Sequence, residues 1–489
     1  MFWNKKKAPE LSAPSGIGAA DFAGAGTPLK FNSVDFRDGQ QSLFATRLTT
    51  ADMIPLLEQM DAVGYDSMEM WGGATFDVAV RFLKDDPWER VRTFKKYVKK
   101  TPLKMVLRGQ NLVGYKAYPD DVVEAFIAQA AEAGIDVFLT FDALQDLRNC
   151  ETAFKAIKKA GKKIEGSVQY NVSPFHTTEV FVQNALEQEQ MGASLMHVED
   201  MAGLMTPEAA YELITALKKA LKIPVHLHCH CTGGMAEMAY WEAIRAGVDG
   251  LDVCVSSMSM GPSLPPIESY LAALKGTSRD PKIDLGQFAD INKKFAELRR
   301  KYADFGTKLV GVDVGCLQHQ IPGGMLSNLT SQLKEQHAED KFYDVLEEVP
   351  RVRKDLGEPP LVTPSSQIVG TQAVFNVLMG ERYKVATKET KDVLLGKYGQ
   401  TVKPFNPEVV DKVLGEDKKN AITCRYADLL EPELDKIEAE MKQWKQQDED
   451  VLTYALFPQV ATDFFKYREA QQKKVDATVA DTKNGAYPV

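Results

Sequence analysis

The chain has 489 residues, 44% of them hydrophobic and 26% charged, and a formal net charge of -9. That composition is ordinary for a globular protein, and the length suffices for a large domain plus a second unit. The acidic balance leaves no basic face for nucleic acid, so the expected partners are small molecules and other proteins.

In chain order, residues 1–27 are rich in Ala, Gly, Pro and Ser and read as a flexible N-terminal tail or an arm on a neighbour. Phe2 and Trp3, beside Lys5 to Lys7, could touch a membrane or a partner, but a solvated tail is the preferred reading. From residue 29 to about residue 260 one pattern recurs: an amphipathic helix ends in glycine, and a short β-branched or apolar run follows. AVGYDSMEMWG, EAGIDVFLTFD, KAGKKIEGSVQY, QMGASLMHVED and RAGVDGLDVCV all follow it. Each puts its glycine where a helix C-terminus favours a left-handed residue, then enters a buried strand. The strands read as LKFNSVDFR, YDSMEMWG, LKMVLRG, IDVFLTFD, KIEGSVQY, SLMHVED, PVHLHCHC and GLDVCVSS. Eight alternating units predict an α/β fold, a closed (β/α)8 TIM barrel over residues 28–310, rather than an open doubly wound sheet.

Beyond the barrel, LGQFADINKKFAELRRKYADF, GGMLSNLTSQLKEQH, SQIVGTQAVFNVLMG and PELDKIEAEMKQWKQQ have helical spacing. They predict a mostly helical C-terminal domain over residues 311–470. Its Pro- and Gly-rich joints at 321–324 and 358–366 read as loops returning to the barrel mouth, and residues 471–489 read as a second tail. Of the six cysteines only Cys229 and Cys231 are close in sequence, which argues against a secreted disulfide framework. No apolar run is long enough for a membrane span and the N-terminus lacks a signal-peptide core, so a cytoplasmic protein is expected.

In such barrels chemistry sits at the C-terminal ends of the strands. Asp38 reads as closing the first strand, and His228 and His230 lie on the seventh in HLHCH. Side chains two apart on a strand share a face, so both imidazoles can point at one spot over the barrel axis. With the carboxylate they describe a catalytic divalent-metal site. The competing reading is buried packing histidines bonded to backbone carbonyls. His226 faces the same way one layer deeper and reads as a core or supporting residue.

The runs FRDGQQSLFATR, WGGATFDVAVRFL, DPWERVRTFKK, LRGQNLVGY, HCHCTGG, SSMSMGP, IPGGMLSNL, VTPSSQIVGTQAVFN and DVLTYALFPQVA resemble the carboxyltransferase domain of biotin-dependent enzymes acting on 2-oxo acids. That family includes pyruvate carboxylase, the oxaloacetate decarboxylase α subunit and the transcarboxylase subunit for pyruvate and oxaloacetate. The resemblance covers about residues 30–465. It implies a divalent metal (Zn, Mn or Co) on Asp38, His228 and His230, and Arg108 on the substrate carboxylate, a role suited to a guanidinium fork. It further implies Gln41 on the oxo acid, Asp77 and Tyr115 as residues that orient Arg108 and line the pocket, and Thr363 as the hydroxyl that passes a proton between the substrate methyl and the biotin ureido nitrogen. On residue chemistry alone, Thr363 reads as a helix cap. The chain has no Ala-Met-Lys-Met sequence, so biotin is expected on a separate biotin carboxyl carrier protein, with other carboxylase or decarboxylase subunits and a homodimer as further associations.

Two positions depart from the family. Glu199 in HVEDMAGLM stands where the family has a lysine, carbamylated on its amine, as fourth metal ligand. Glu199 is therefore the expected fourth ligand here: the charge is kept but the reach is shorter. Gly39-Gln40 replaces the usual Ala-His, a form shared with acyl-CoA lyases and 2-isopropylmalate or homocitrate synthases of the wider barrel superfamily. A metal-dependent acyl-CoA lyase or synthase is the alternative enzyme reading, and a non-catalytic scaffold subunit of a carboxylase complex the alternative outside catalysis.

Overall fold

The computed structural model describes residue 22 and residues 27–306, 309 and 311–474. Most of both expected tails, including Phe2 and Trp3, lies outside the described residues.

Eight parallel strands close into a barrel in sequence order. They are β1 (Lys30–Ser33), β2 (Ser67–Trp71), β3 (Leu103–Leu107), β4 (Val137–Thr140), β5 (Lys163–Gln169), β6 (Leu195–Asp200), β7 (Val225–Cys229) and β8 (Gly250–Val253), with β8 paired to β1. The βα rhythm predicted this closure. Helix Thr178–Met191, for example, ends on Gly192 in the left-handed region (φ 115°), and the chain turns directly into β6.

Successive side chains on a strand point to opposite faces. Met68 and Met70 on β2 are buried among hydrophobic neighbours, while Glu69 between them bonds Arg37. The same alternation sets Lys104 of β3, Glu165 of β5, His197 of β6, His226 and His228 of β7, and Asp252 of β8 among one another on the axis, all but Glu165 completely buried. This barrel axis is charged, where many barrels fill it with branched apolar side chains.

The segment expected as one helical domain over 311–470 divides between two cores. Residues from Ile321 to Leu414 form their own apolar cluster. The helices Leu434–Met441, Glu449–Leu456 and Pro458–Gln472 join the barrel's cluster instead. Polar ties hold them there: Trp88 donates its indole N–H to Thr453 Oγ1 at 2.9 Å, and Tyr118 donates to the Leu456 carbonyl at 3.1 Å. Amphipathic spacing gives a helix its apolar face but not the surface that covers it. No helix among the described residues is long and apolar enough to cross a membrane.

Candidate active site and metal centre

Strand β1 ends at Ser33, and the chain enters a wide helical turn, Asp35–Gly39. Asp38 therefore does not close the strand, as the sequence suggested, but lies one turn beyond it. The buried Asp35 carboxylate pins the turn, accepting from Ser33 Oγ at 2.8 Å and from the Val255 amide at 2.9 Å. Gly39 is required by space: a Cβ there would stand 2.9 Å from Cys254 Sγ.

The turn delivers Asp38 Oδ2 to 3.5 Å from both His228 Nε2 and His230 Nε2, which are themselves 3.1 Å apart. Each imidazole faces an acceptor with its other nitrogen: His228 Nδ1 donates to Asp252 Oδ2 at 2.9 Å, and His230 Nδ1 to the Pro262 carbonyl at 2.7 Å. A carboxylate and a carbonyl only accept, so each imidazole in its neutral form carries its lone pair on Nε2. In that form three electron-pair donors converge with no hydrogen-bond donor among them. Ligands about 2.1 Å from a cation stand about 3.0–3.4 Å from one another in octahedral or tetrahedral arrangements. The residues fit a divalent cation.

Burial would raise the Asp38 carboxyl, but the guanidinium charge of Arg37 opposes it, and the carboxyl is held well below the usual range. Arg37 Nη1 is 2.9 Å from Asp38 Oδ2, and its Nε bonds Glu69. Behind His228, Asp252 is also 3.2 Å from His197 Nε2. Burial alone would lower that imidazole, yet the charge of Asp252 raises it to about 10. His226 is neutral, lowered to about 4 by burial, and bonds Asn32.

Glu199 stands beside His228 in strand register but outside this donor group. Its Oε2 accepts from Ser167 Oγ at 2.6 Å and from Gln169 Nε2, both on β5. The expectation that Glu199 completes the ligand set is not met by this geometry, because the two hydrogen bonds turn its short side chain toward β5.

A second cluster forms after β3. Arg108 is buried, and Nη2 donates to the Gly114 carbonyl at 2.9 Å. Its guanidinium carbon lies 5.6 Å from the centre of the Tyr115 ring, and Tyr115 donates to Asp77 Oδ2 at 3.3 Å. Gly73 makes room: a Cβ there would meet Arg108 Nη1 at 2.2 Å. Thr363 precedes helix Ser365–Leu378 without capping it; its hydroxyl accepts from Gln367 at 3.2 Å. The adjoining Pro364 and Ser365 share a cavity with Arg108, Asn111, Asp142 and Leu144. Gln41 is exposed at the start of helix Gln40–Phe44.

Residues 28–294 match the family described as HMGL-like, and residues 316–488 match a conserved carboxylase domain. The chain is 53% identical over 441 residues to a subunit of pyruvate carboxylase from Methanocaldococcus jannaschii, covering 90% of this chain and 78% of that one. It is 49% identical to the methylmalonyl-CoA carboxyltransferase 5S subunit of Propionibacterium freudenreichii subsp. shermanii, covering 91% and 89%. The carboxyl transferase domain of Rhizobium etli pyruvate carboxylase, solved with pyruvate, superposes with a TM-score of 0.87 at 32% identity, covering 92% of this chain and 79% of that one. The chain belongs to the carboxyltransferase family of biotin-dependent carboxylases. The second matched domain and these relatives do not favour the lyase or synthase reading.

Several residues that bear on this carboxyltransferase's site were missed in the sequence: Arg37, Glu69, Lys104, His197 and Asp252. Arg37 lies on the turn beside Asp38, whereas for the last four the signal was the polar residue alternating with apolar ones in SMEMW, LKMVL, LMHVED and GLDV. It is legible only once the strands' inner face is known.

Proposed function

We propose that this chain is the carboxyltransferase subunit of a multisubunit enzyme. It moves a carboxyl group between biotin on a separate carrier protein and pyruvate, oxaloacetate or a closely related 2-oxo acid. The observation that carries the reading is the convergence of Asp38 Oδ2 with two Nε2 lone pairs at 3.1–3.5 Å. Such a donor set suits a site built to load a cation and argues against a scaffold that kept only the fold. Asp38, His228 and His230 hold the cation, Zn, Mn or Co by ligand chemistry. When bound, it supplies Lewis-acid stabilisation of negative charge on the substrate's carbonyl oxygen.

Arg108 takes the substrate carboxylate with its guanidinium fork, buried and therefore strongly attractive to an anion. Tyr115 and Asp77 keep that guanidinium aimed, and Gln41 contacts the oxo acid from the mouth. Thr363 Oγ1 accepts a proton from the substrate methyl carbon and delivers one to the ureido nitrogen as carboxybiotin gives up its carboxyl as carbon dioxide. A hydroxyl suits this because it donates and accepts in turn. Enolate charge develops between Arg108 and the cation site, where fixed charges need not reorganise, and the enolate carbon bonds the carbon dioxide to give the carboxylated oxo acid. Glu199, fixed by Ser167 and Gln169, balances the cation's charge from the side of β5 and acts through water. The protein works as a homodimer with a biotin carboxyl carrier protein and other carboxylase or decarboxylase subunits, in the cytoplasm.

Purified chain mixed with a biotinylated carrier protein and carboxyl-labelled oxaloacetate should transfer label to biotin, and chelation should abolish the transfer. Absence of transfer from fully metal-loaded protein would overturn the reading. Glu199→Ala should lower metal occupancy, and Glu199→Gln should affect metal more than folding; unchanged metal in both would remove Glu199 from the site.

A further inference from the structure

The chain holds a second convergence of ligand-type atoms: His197, His228 and Asp252 also present donors within 4.8 Å of one another, all buried. His228 belongs to both groups, Nε2 in one and Nδ1 in the other. Two arrangements share this geometry, a second cation bridged by one imidazole or a device that serves the first site. Lys104 decides between them. Its fully buried ammonium lies 3.6 Å from Asp252 Oδ1, 3.3 Å from Glu165 Oε2 and 3.7 Å from Glu69 Oε2. The positive charge that a second cation would bring is already there, and a dication beside it would be repelled across a medium that screens little.

Followed outward, the contacts trace a run of alternating charge that an imidazole closes into a loop. Asp38 pairs with Arg37, Arg37 with Glu69, Glu69 with Lys104 and Lys104 with Asp252, while Asp252 accepts from His228, which faces Asp38 again. Two of the three converging donors are thereby tied to each other through the barrel axis. Asn32 completes the bracing, donating to Asp252 Oδ1 at 2.8 Å. Each group is costly to bury alone and stable only with its neighbours, so the loop has one low-energy arrangement.

We propose that Asp252 is a positioning residue for the cation site, held by Lys104. The pair fixes His228 with Nδ1 protonated and Nε2 presented to the cation. The device rests on the cation site proposed above and adds what sets its geometry. Partners that orient a metal-bound imidazole carry a substantial part of a site's affinity.

The test is metal binding rather than turnover. Zn²⁺ affinity of the full chain is measured by competition with a chromophoric chelator, stoichiometry by elemental analysis, and folding of the metal-free protein by circular dichroism and thermal melting. Asp252→Asn should raise the Zn²⁺ Kd by about 10–100-fold and shrink the metal-induced rise in Tm. A merely structural role would lower Tm equally with and without metal. If Asp252→Asn does not fold, the double variant Lys104→Gln/Asp252→Asn removes one charge of each sign and should show the same loss of affinity. In metal-free wild-type protein with ¹⁵N-labelled histidine, the His228 resonances should report the Nδ1–H tautomer. A Kd within about two-fold of wild type in a folded variant would overturn the proposal, as would the Nε2–H tautomer or two Zn²⁺ per wild-type chain. Wild-type protein with no Zn²⁺ affinity would instead remove the cation site itself, a distinguishable failure.

Discussion

The helical unit from Ile321 to Leu414 centres on Leu329, Leu333, Val345, Val349 and Ala373, whereas the barrel axis centres on Lys104 among three carboxylates. The helical unit does bury charges, but Glu348 and Asp355 reach outward to Arg382, a half-exposed partner at its rim. The axial charges have only one another. An apolar core tolerates loss of one member at the cost of a cavity, while a closed charge loop leaves the survivors unpaired. The barrel gives up tolerance and gains fixed orientation at its mouth, where a cation and an enolate demand it.

The largest effect should come from Lys104→Met, which removes the ammonium shared by Glu69, Glu165 and Asp252. Denaturant unfolding should show a loss of about 3–5 kcal/mol. Adding Asp252→Asn should recover part of it, and a double variant as unstable as the two losses summed would break the contrast between the cores. Next, Leu333→Ala in the helical unit should cost about 3 kcal/mol and leave metal uptake unchanged; altered metal affinity would mean that the two cores are coupled. Gly73→Ala should fold and bind metal normally, but the displaced Arg108 should lower kcat/KM by about 100-fold in carboxyl-transfer assays. The smallest change should come from Asp142→Asn, read as a slope. Burial, with Asp146 nearby, raises the Asp142 carboxyl to about 7. A folded value above the unfolded one means a contribution fully present below about pH 4 and lost as pH rises through 7. Melting temperatures across that window should fall less steeply in the variant than in wild type.

Much of this protein is legible in its sequence. Five glycine-ended helices and eight apolar runs dictate the barrel, because each run is too short and too apolar to be covered except by its neighbours and their helices. The histidine pair two apart and the family motifs point to the cation site and to Arg108, Tyr115 and Asp77. Local sequence left three things open. It did not place Asp38 one turn beyond β1, since that turn is held by Val255 from the far end of the barrel. It did not show that Glu199 turns toward Ser167 and Gln169, for those partners come from another strand. Nor did it show that the polar residues inside LKMVL and GLDV meet on the axis: alternation says that two faces differ, and only closure of the sheet decides which of them points inward.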